Sequence, residues 1–185
     1  MSKFDLSNWL YYKKNTLVLK YRAILKYYFF KRFDVRIGHN VFIKRGRGKH
    51  SFGRDLVVSD NALFEVFGRS ASITVGDKCF LSYGVIIVCT VSITIGNNVW
   101  IGEYCSIRDA THSFSVNAPL GTVPDWHEPI KIGNNVWIGR GCIILPGTVI
   151  EDNIVVGANS VVKGHLKANS MYGGCPVRFI KTVDS

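Results

Sequence analysis

The sequence predicts an all-β fold of the parallel β-helix type, a solenoid of short stacked strands. Three observations predict it: a six-residue period in the aliphatic side chains, small or β-branched residues four places after each beat, and Asn-bearing dipeptides where the chain must turn. Ile132, Ile138, Ile144, Ile150, Val156 and Val162 follow one another at intervals of six. With aliphatic residues at roughly 30% of a chain, such a run in one fixed frame arises by chance about once in a thousand. A period of six is neither the 3.6 of a helix nor the 2 of a half-buried strand. Hexapeptide periods mark β-helices, in which three hexads make a triangular coil of about 18 residues.

In chain order, residues 1–33 come first. The stretch FDLSNWLYYKKNTLVLKYRAILKYYFFKRF mixes aromatics with Lys and Arg, and Leu17, Tyr21, Ile24 and Tyr28 share one helical face. A short helical segment is expected, either as the end cap that solenoids require or as a contact with an anionic membrane surface. Both readings stay open. The net charge of +10 belongs to this end of the chain. Residues 1–54 hold 14 Lys and Arg against Asp5 and Asp34, whereas the remainder holds 9 basic and 11 acidic residues. No nucleic-acid motif accompanies the basic segment, so nucleic acid is not an expected partner. MSKFDLSNWLYYKKN is polar and charged where a signal peptide has its apolar stretch, which points to the cytoplasm.

The solenoid is expected over residues 34–166. Val75, Leu81 and Ile87 keep the beat, Ile95, Ile101 and Ile107 resume it in a shifted frame, and Ile37 and Ile43 are its weakest fragment. Val136, Cys142, Thr148, Ile154 and Ser160 are the small or branched residues four places on. Asn97-Asn98, Asn134-Asn135 and Asp152-Asn153 fall at corner phase, where left-handed backbone favours Asn and Gly. Cys79 to Gly102 contains 24 residues without a charge, the length of a membrane span. Its repeat phase makes it core coil instead. The five cysteines form no CxxC pair and have no metal-like spacing, so free thiols in a reducing compartment and no metal site are expected. Cys79, Cys105 and Cys142 each follow a beat by four places, as small buried hydrophobes do.

The beat stops between Ile107 and Gly133. A coil must extrude such an insertion as a loop, here residues 109–130, and long loops in compact domains are commonly functional. Pro119, Pro124 and Pro129 stand among Phe114, Leu120 and Trp126, which indicates a packed excursion. The loop also holds His112 and His127, two of the chain's five histidines.

The stretch IGNNVWIGRGCIILPGTVIEDNIVVGANSVVKG resembles the left-handed β-helix, hexapeptide-repeat acyltransferases, and the resemblance runs over roughly residues 35–181. Left-handedness comes from this resemblance, against the usual crossover rule. The pattern is similar to bacterial polysaccharide and sugar O-acetyltransferases. It implies direct acetyl transfer from acetyl-CoA to a sugar hydroxyl of a surface glycan or its precursor, in a homotrimer. His112, in RDATHSF, matches the general base of the family, a task that suits imidazole. Asp109 is expected to orient that imidazole, bind the acceptor, or cap the loop. An amide near Gly139 and Arg140 is the expected oxyanion donor.

Carried over residue by residue, the donor groove takes Trp137, Gly139, Arg140, Ala158, Lys163 and Gly164. Arg178 and Lys181, in a tail of residues 167–185, match the cations that meet the phosphates. Arg140 departs from the small residue common at its position. On the acceptor side Tyr83 replaces a sugar-contacting Asn, and Trp126 is the aromatic candidate in the loop. That departure points away from a simple disaccharide acceptor. N-acetylation of an amino-sugar nucleotide, acetylation of a xenobiotic, and a non-enzymatic β-helix scaffold are the rival readings. A zinc site of three histidines, which some proteins of this fold carry, lacks its HxxxxH pair here.

Overall fold

The computed structural model describes residues 34–45 and 48–183, and the side chain of Arg45 lies outside that description. Residues 36–185 form one compact unit. The expected cap or membrane contact of residues 1–33 lies outside the described residues.

The described chain is a parallel β-solenoid of about six coils, with three sheets as its faces. The first sheet runs through Arg36–Ile37, Val57–Val58, Phe80–Leu81, Trp100–Ile101, Val136–Ile138, Ile154–Val156 and Ser170–Gly173, and ends on the antiparallel strand Arg178–Thr182. The second stacks Phe42–Arg45, Leu63–Val66, Ile86–Cys89, Ser106–Arg108, Ile143–Ile144 and Val161–Val162. The third stacks Lys49–Phe52, Ser72–Val75, Ser92–Ile95, Ile130–Ile132, Val149–Ile150 and His165–Leu166. No membrane-length apolar helix occurs among the described residues.

The hexad beat is the core. All twelve aliphatic residues from Val75 to Val162 named above are buried, as are the small residues four places on. Parallel stacking puts like on like: Ile132 pairs with Ile150, Ile138 with Val156 and Ile144 with Val162. The corners need positive φ, and Asn98, Asn135 and Asn153 adopt 55°, 53° and 58°. Their side-chain amides form a ladder, with Asn98 Nδ2 donating to Asn135 Oδ1 at 2.9 Å and Asn135 Nδ2 to Asn153 Oδ1 at 2.8 Å. At the same corner a Cβ on Gly96 would meet the Gly133 carbonyl, so the close approach of successive coils requires glycine.

The frame shifts in the sequence have one structural cause. Every extra residue enters at the corner between the second and third sheets. From Ile144 to Ile150 this corner takes six residues, from Ile87 to Ile95 eight, from Phe64 to Val75 eleven, and from Ile107 to Ile132 twenty-five. The beat is weak before residue 70 because the early corners are long, and the loop is the same corner lengthened further.

The cysteine expectation agrees with the packing. Cys79, Cys89, Cys105 and Cys142 are buried. Burial, with the Asp109 carboxylate beside it, pushes the Cys89 thiol up to about 12. A hydrogen bond with Cys142, together with burial, pushes Cys105 up. That same bond holds Cys142 below the ordinary thiol value, but its sulfur is fully buried against the Gly157 carbonyl at 3.1 Å, out of reach of a substrate.

Candidate active site

The loop leaves and re-enters the solenoid as two antiparallel legs. Ala110 pairs with His127 and Thr111 with Trp126. The ladder continues inward, where the Glu128 N–H donates to the Asp109 carbonyl at 2.9 Å. One step outward it sets His112 opposite Asp125, and cross-strand neighbours interact directly. His112 Nδ1 lies 2.9 Å from Asp125 Oδ1. An ionised carboxylate accepts only, so Nδ1 carries a hydrogen, and in the neutral imidazole Nε2 is then the nitrogen with the lone pair. The imidazole is largely exposed. The result is an oriented, accessible proton acceptor on an extruded arm.

Asp125 was not among the expected site residues, although its acidic character in the same loop was visible. Of the three roles expected of Asp109, its contacts agree with the loop cap, and its carboxylate does not orient His112. It is fully buried. Its Oδ1 accepts the Thr90 N–H at 2.7 Å and the Thr90 hydroxyl at 2.9 Å, and its Oδ2 accepts the Val91 N–H at 2.8 Å and the Cys89 thiol at 3.3 Å. Asp109 therefore roots the loop on the preceding corner. The remaining acceptor-side candidates separate. Tyr83 stands at the corner between the first and second sheets, edge-on to Tyr104 at 5.3 Å, whereas Trp126 is in the loop.

The two corner rows that flank the first sheet differ in a way that bears on ligand binding. Between the third and first sheets, an Asx side chain of the next coil caps four successive second-position amides, a run that ends where Ala168 follows Asp152. The Arg54 N–H donates to Asp77 at 2.6 Å, Asp77 to Asn97 at 2.8 Å, Asn97 to Asn134 at 2.9 Å and Asn134 to Asp152 at 2.6 Å. Between the first and second sheets, Asp60 caps the His39 amide. Beyond it the equivalent positions are Tyr83, Glu103, Arg140 and Ala158, and their N–H groups have no acceptor among the described residues. This row was legible as the absence of Asx at one corner. It includes two expected donor residues, Arg140 and Ala158. Gly139 is excluded as an oxyanion donor, because its N–H donates to the Val156 carbonyl at 2.8 Å.

The other donor candidates lie on the first sheet and at the loop root. Trp137 pairs with Trp100, and both rings are exposed. Trp137, Val155, Met171 and Lys181 follow one another across the sheet in register. Arg178 lies on the same last strand, which is exposed throughout. Gly164 turns the chain at φ 93°. Lys163, expected near the nucleotide, places its ammonium 4.7 Å from the Trp126 ring centroid. No cluster with metal-ligand character occurs among the described residues.

Comparison with known proteins bears on this geometry. The bacterial transferase hexapeptide family (six repeats) matches residues 129–164. A putative lipopolysaccharide biosynthesis O-acetyl transferase of Escherichia coli K12, WbbJ, is 33% identical over 145 residues, covering 74% of each chain. The structure of AntD, an N-acyltransferase from Bacillus cereus in complex with dTDP and 3-hydroxybutyryl-CoA, superposes with a TM-score of 0.65 at 26% identity, over 88% of both chains. A hexapeptide-repeat acetyltransferase of Vibrio cholerae, complexed with acetyl coenzyme A, gives 0.60 at 25% identity, over 90% of this chain and 78% of the other.

Proposed function

Because this chain belongs to the hexapeptide-repeat acetyltransferase family and is an acyltransferase, we propose that it transfers acetyl from acetyl-CoA to a sugar hydroxyl of a bacterial surface glycan or its precursor. The observation that carries the reading is the His112–Asp125 pair at 2.9 Å on the extruded arm. His112 Nε2 takes the hydroxyl proton as the oxygen attacks, and Asp125 stabilises the imidazolium that forms. Bound acetyl-CoA supplies the activated acyl group as its thioester.

The residues present fit that donor. The uncapped amides of Arg140 and Ala158 offer hydrogen bonds to a ligand rich in amide carbonyls, the exposed Trp100 and Trp137 rings offer an apolar wall, and Arg178 and Lys181 offer cations to phosphate. The Arg140 N–H is the oxyanion donor in this reading, since Gly139 is committed to the coil.

The same geometry supports a homotrimer. His112 projects from the corner between the second and third sheets, whereas the free amides line the corner between the first and second. One hexad of strand, about 20 Å, separates the two. A donor on one protomer's amide row meets the base of a neighbouring copy, so the site is complete only in a cyclic assembly. Light scattering is expected to give a trimer. A stable monomer with full activity at assay concentration contradicts this.

The similarity to AntD favours one second reading, acyl transfer to the amine of an amino-sugar nucleotide. Thiol release from acetyl-CoA, measured against polysaccharides and methyl glycosides, amino-sugar nucleotides, and hydroxylated drugs, separates the classes. Release with the hydroxylated sugars supports the proposal. Release with amino-sugar nucleotides alone replaces it.

A further inference from the structure

The mechanism above uses one loop histidine and leaves the other, His127, unexplained. His127 Nδ1 lies 2.9 Å from the Thr90 hydroxyl. That hydroxyl has a single hydrogen, and it points at Asp109 Oδ1, 2.9 Å away. Toward His127 the oxygen therefore offers only lone pairs. A neutral His127 must carry its hydrogen on Nδ1 and present Nε2 as an acceptor on the far side of the ring, away from the coil. Asp109 cannot yield this hydrogen bond easily, because it is buried and held by both the Thr90 and Val91 amides.

The direction of His127 follows from the ladder. Residues two apart on a strand share a face, and opposed pairs share it too. His127 is two residues from Asp125, and Asp125 is opposite His112. His112 and His127 thus stand on one face of the arm, with their Cα atoms on the order of 7 Å apart. Neither Nε2 has a hydrogen-bond partner among the described residues, and both residues are exposed. Thr111 and Trp126 take the other face, where Trp126 meets Lys163.

We propose that His127 is an acceptor-binding residue, whose Nε2 accepts a hydrogen bond from a second hydroxyl of the sugar while His112 deprotonates the first. Thr90 and Asp109 are its positioning residues, and they act by fixing the tautomer. The proposal rests on the O-acetyltransfer reading and adds a specificity to it. The acceptor must carry two hydroxyls close enough to meet both imidazoles, and a sugar lacking the second binds poorly because a fixed acceptor is then left unpaired.

The experiment uses the full-length protein and the methyl glycoside or polysaccharide that gives the fastest thiol release with the wild type. His127→Ala is expected to raise the acceptor KM at least 10-fold, with kcat within about threefold and the acetyl-CoA KM unchanged. Thr90→Val keeps the shape, removes the hydroxyl and is expected to raise the acceptor KM in the same direction, whereas Thr90→Ser restores it. Long-range ¹H–¹⁵N spectra of histidine-labelled protein are expected to show His127 protonated on Nδ1 in the wild type and redistributed toward Nε2 in Thr90→Val. An unchanged acceptor KM in His127→Ala, or a wild-type His127 protonated on Nε2, overturns the proposal while leaving the transfer reading intact. Absence of thiol release by the wild type with every hydroxylated sugar overturns both.

Discussion

Replacing His112 with Ala is expected to lower kcat by about 10²–10⁴-fold, the usual cost of losing a general base. The substitution removes Nε2 from the arm and leaves every coil untouched, because the largely exposed imidazole has Asp125 as its one hydrogen-bond partner among the described residues. Acetyl-CoA affinity is expected to stay within about twofold, since the amide row, the tryptophan wall and the terminal cations lie on other elements. The contrast with His127→Ala is diagnostic. One variant loses kcat and keeps its acceptor KM, while the other does the reverse. Both must be assayed as folded protein in the assembly state of the wild type. If His112→Ala turns over at the wild-type rate and His127→Ala does not, the base is the other histidine of the loop.

The second large effect is structural. Asp109→Ala removes the acceptor of the Thr90 and Val91 amides at once, along with that of the Thr90 hydroxyl. A buried donor left without a partner costs about 1–3 kcal/mol, so the variant is expected to lose about 2–5 kcal/mol. Asp109→Asn keeps one acceptor oxygen and is expected to lose less. Urea unfolding measures the difference, and limited proteolysis is expected to find the first cuts of Asp109→Ala within residues 113–124. An unchanged urea midpoint contradicts the root that Asp109 makes in the structure.

The fold was legible because a solenoid repeats its physics. One inward aliphatic residue per hexad, and one left-handed Asn per corner, are demands that recur every coil, so Ile132 to Val162 and Asn98, Asn135 and Asn153 stand out in a single sequence. The slip between Ile87 and Ile95 was visible as a break in frame. Its cause, extra residues confined to one corner, needed the strand register.

The site was legible in a different measure. The loop announced itself by stopping the beat, and His112 by its match to a family motif. Asp125 did not, because its relation to His112 depends on an antiparallel pairing of two legs that have no repeat and no length of their own. Asp109 was visible as a candidate, but only burial and its four hydrogen-bond donors distinguish a loop root from an orienting acid. The reassignment of Gly139 and Arg140 has the same origin. Adjacent amides look alike in sequence, and only the coil ladder decides which of them is committed to the fold.

The central claim is that the exposed imidazole of His112, oriented by Asp125, takes the proton of a sugar hydroxyl while that oxygen receives the acetyl group directly from the acetyl-CoA thioester. NMR of the product made from isotopically labelled acetyl-CoA and the best sugar acceptor tests it most directly. The account predicts one acetyl ester on one ring hydroxyl, cleaved by mild base, formed by the wild type and reduced at least 100-fold in His112→Ala. A base-stable acetamide, or an ester formed equally fast without His112, contradicts it.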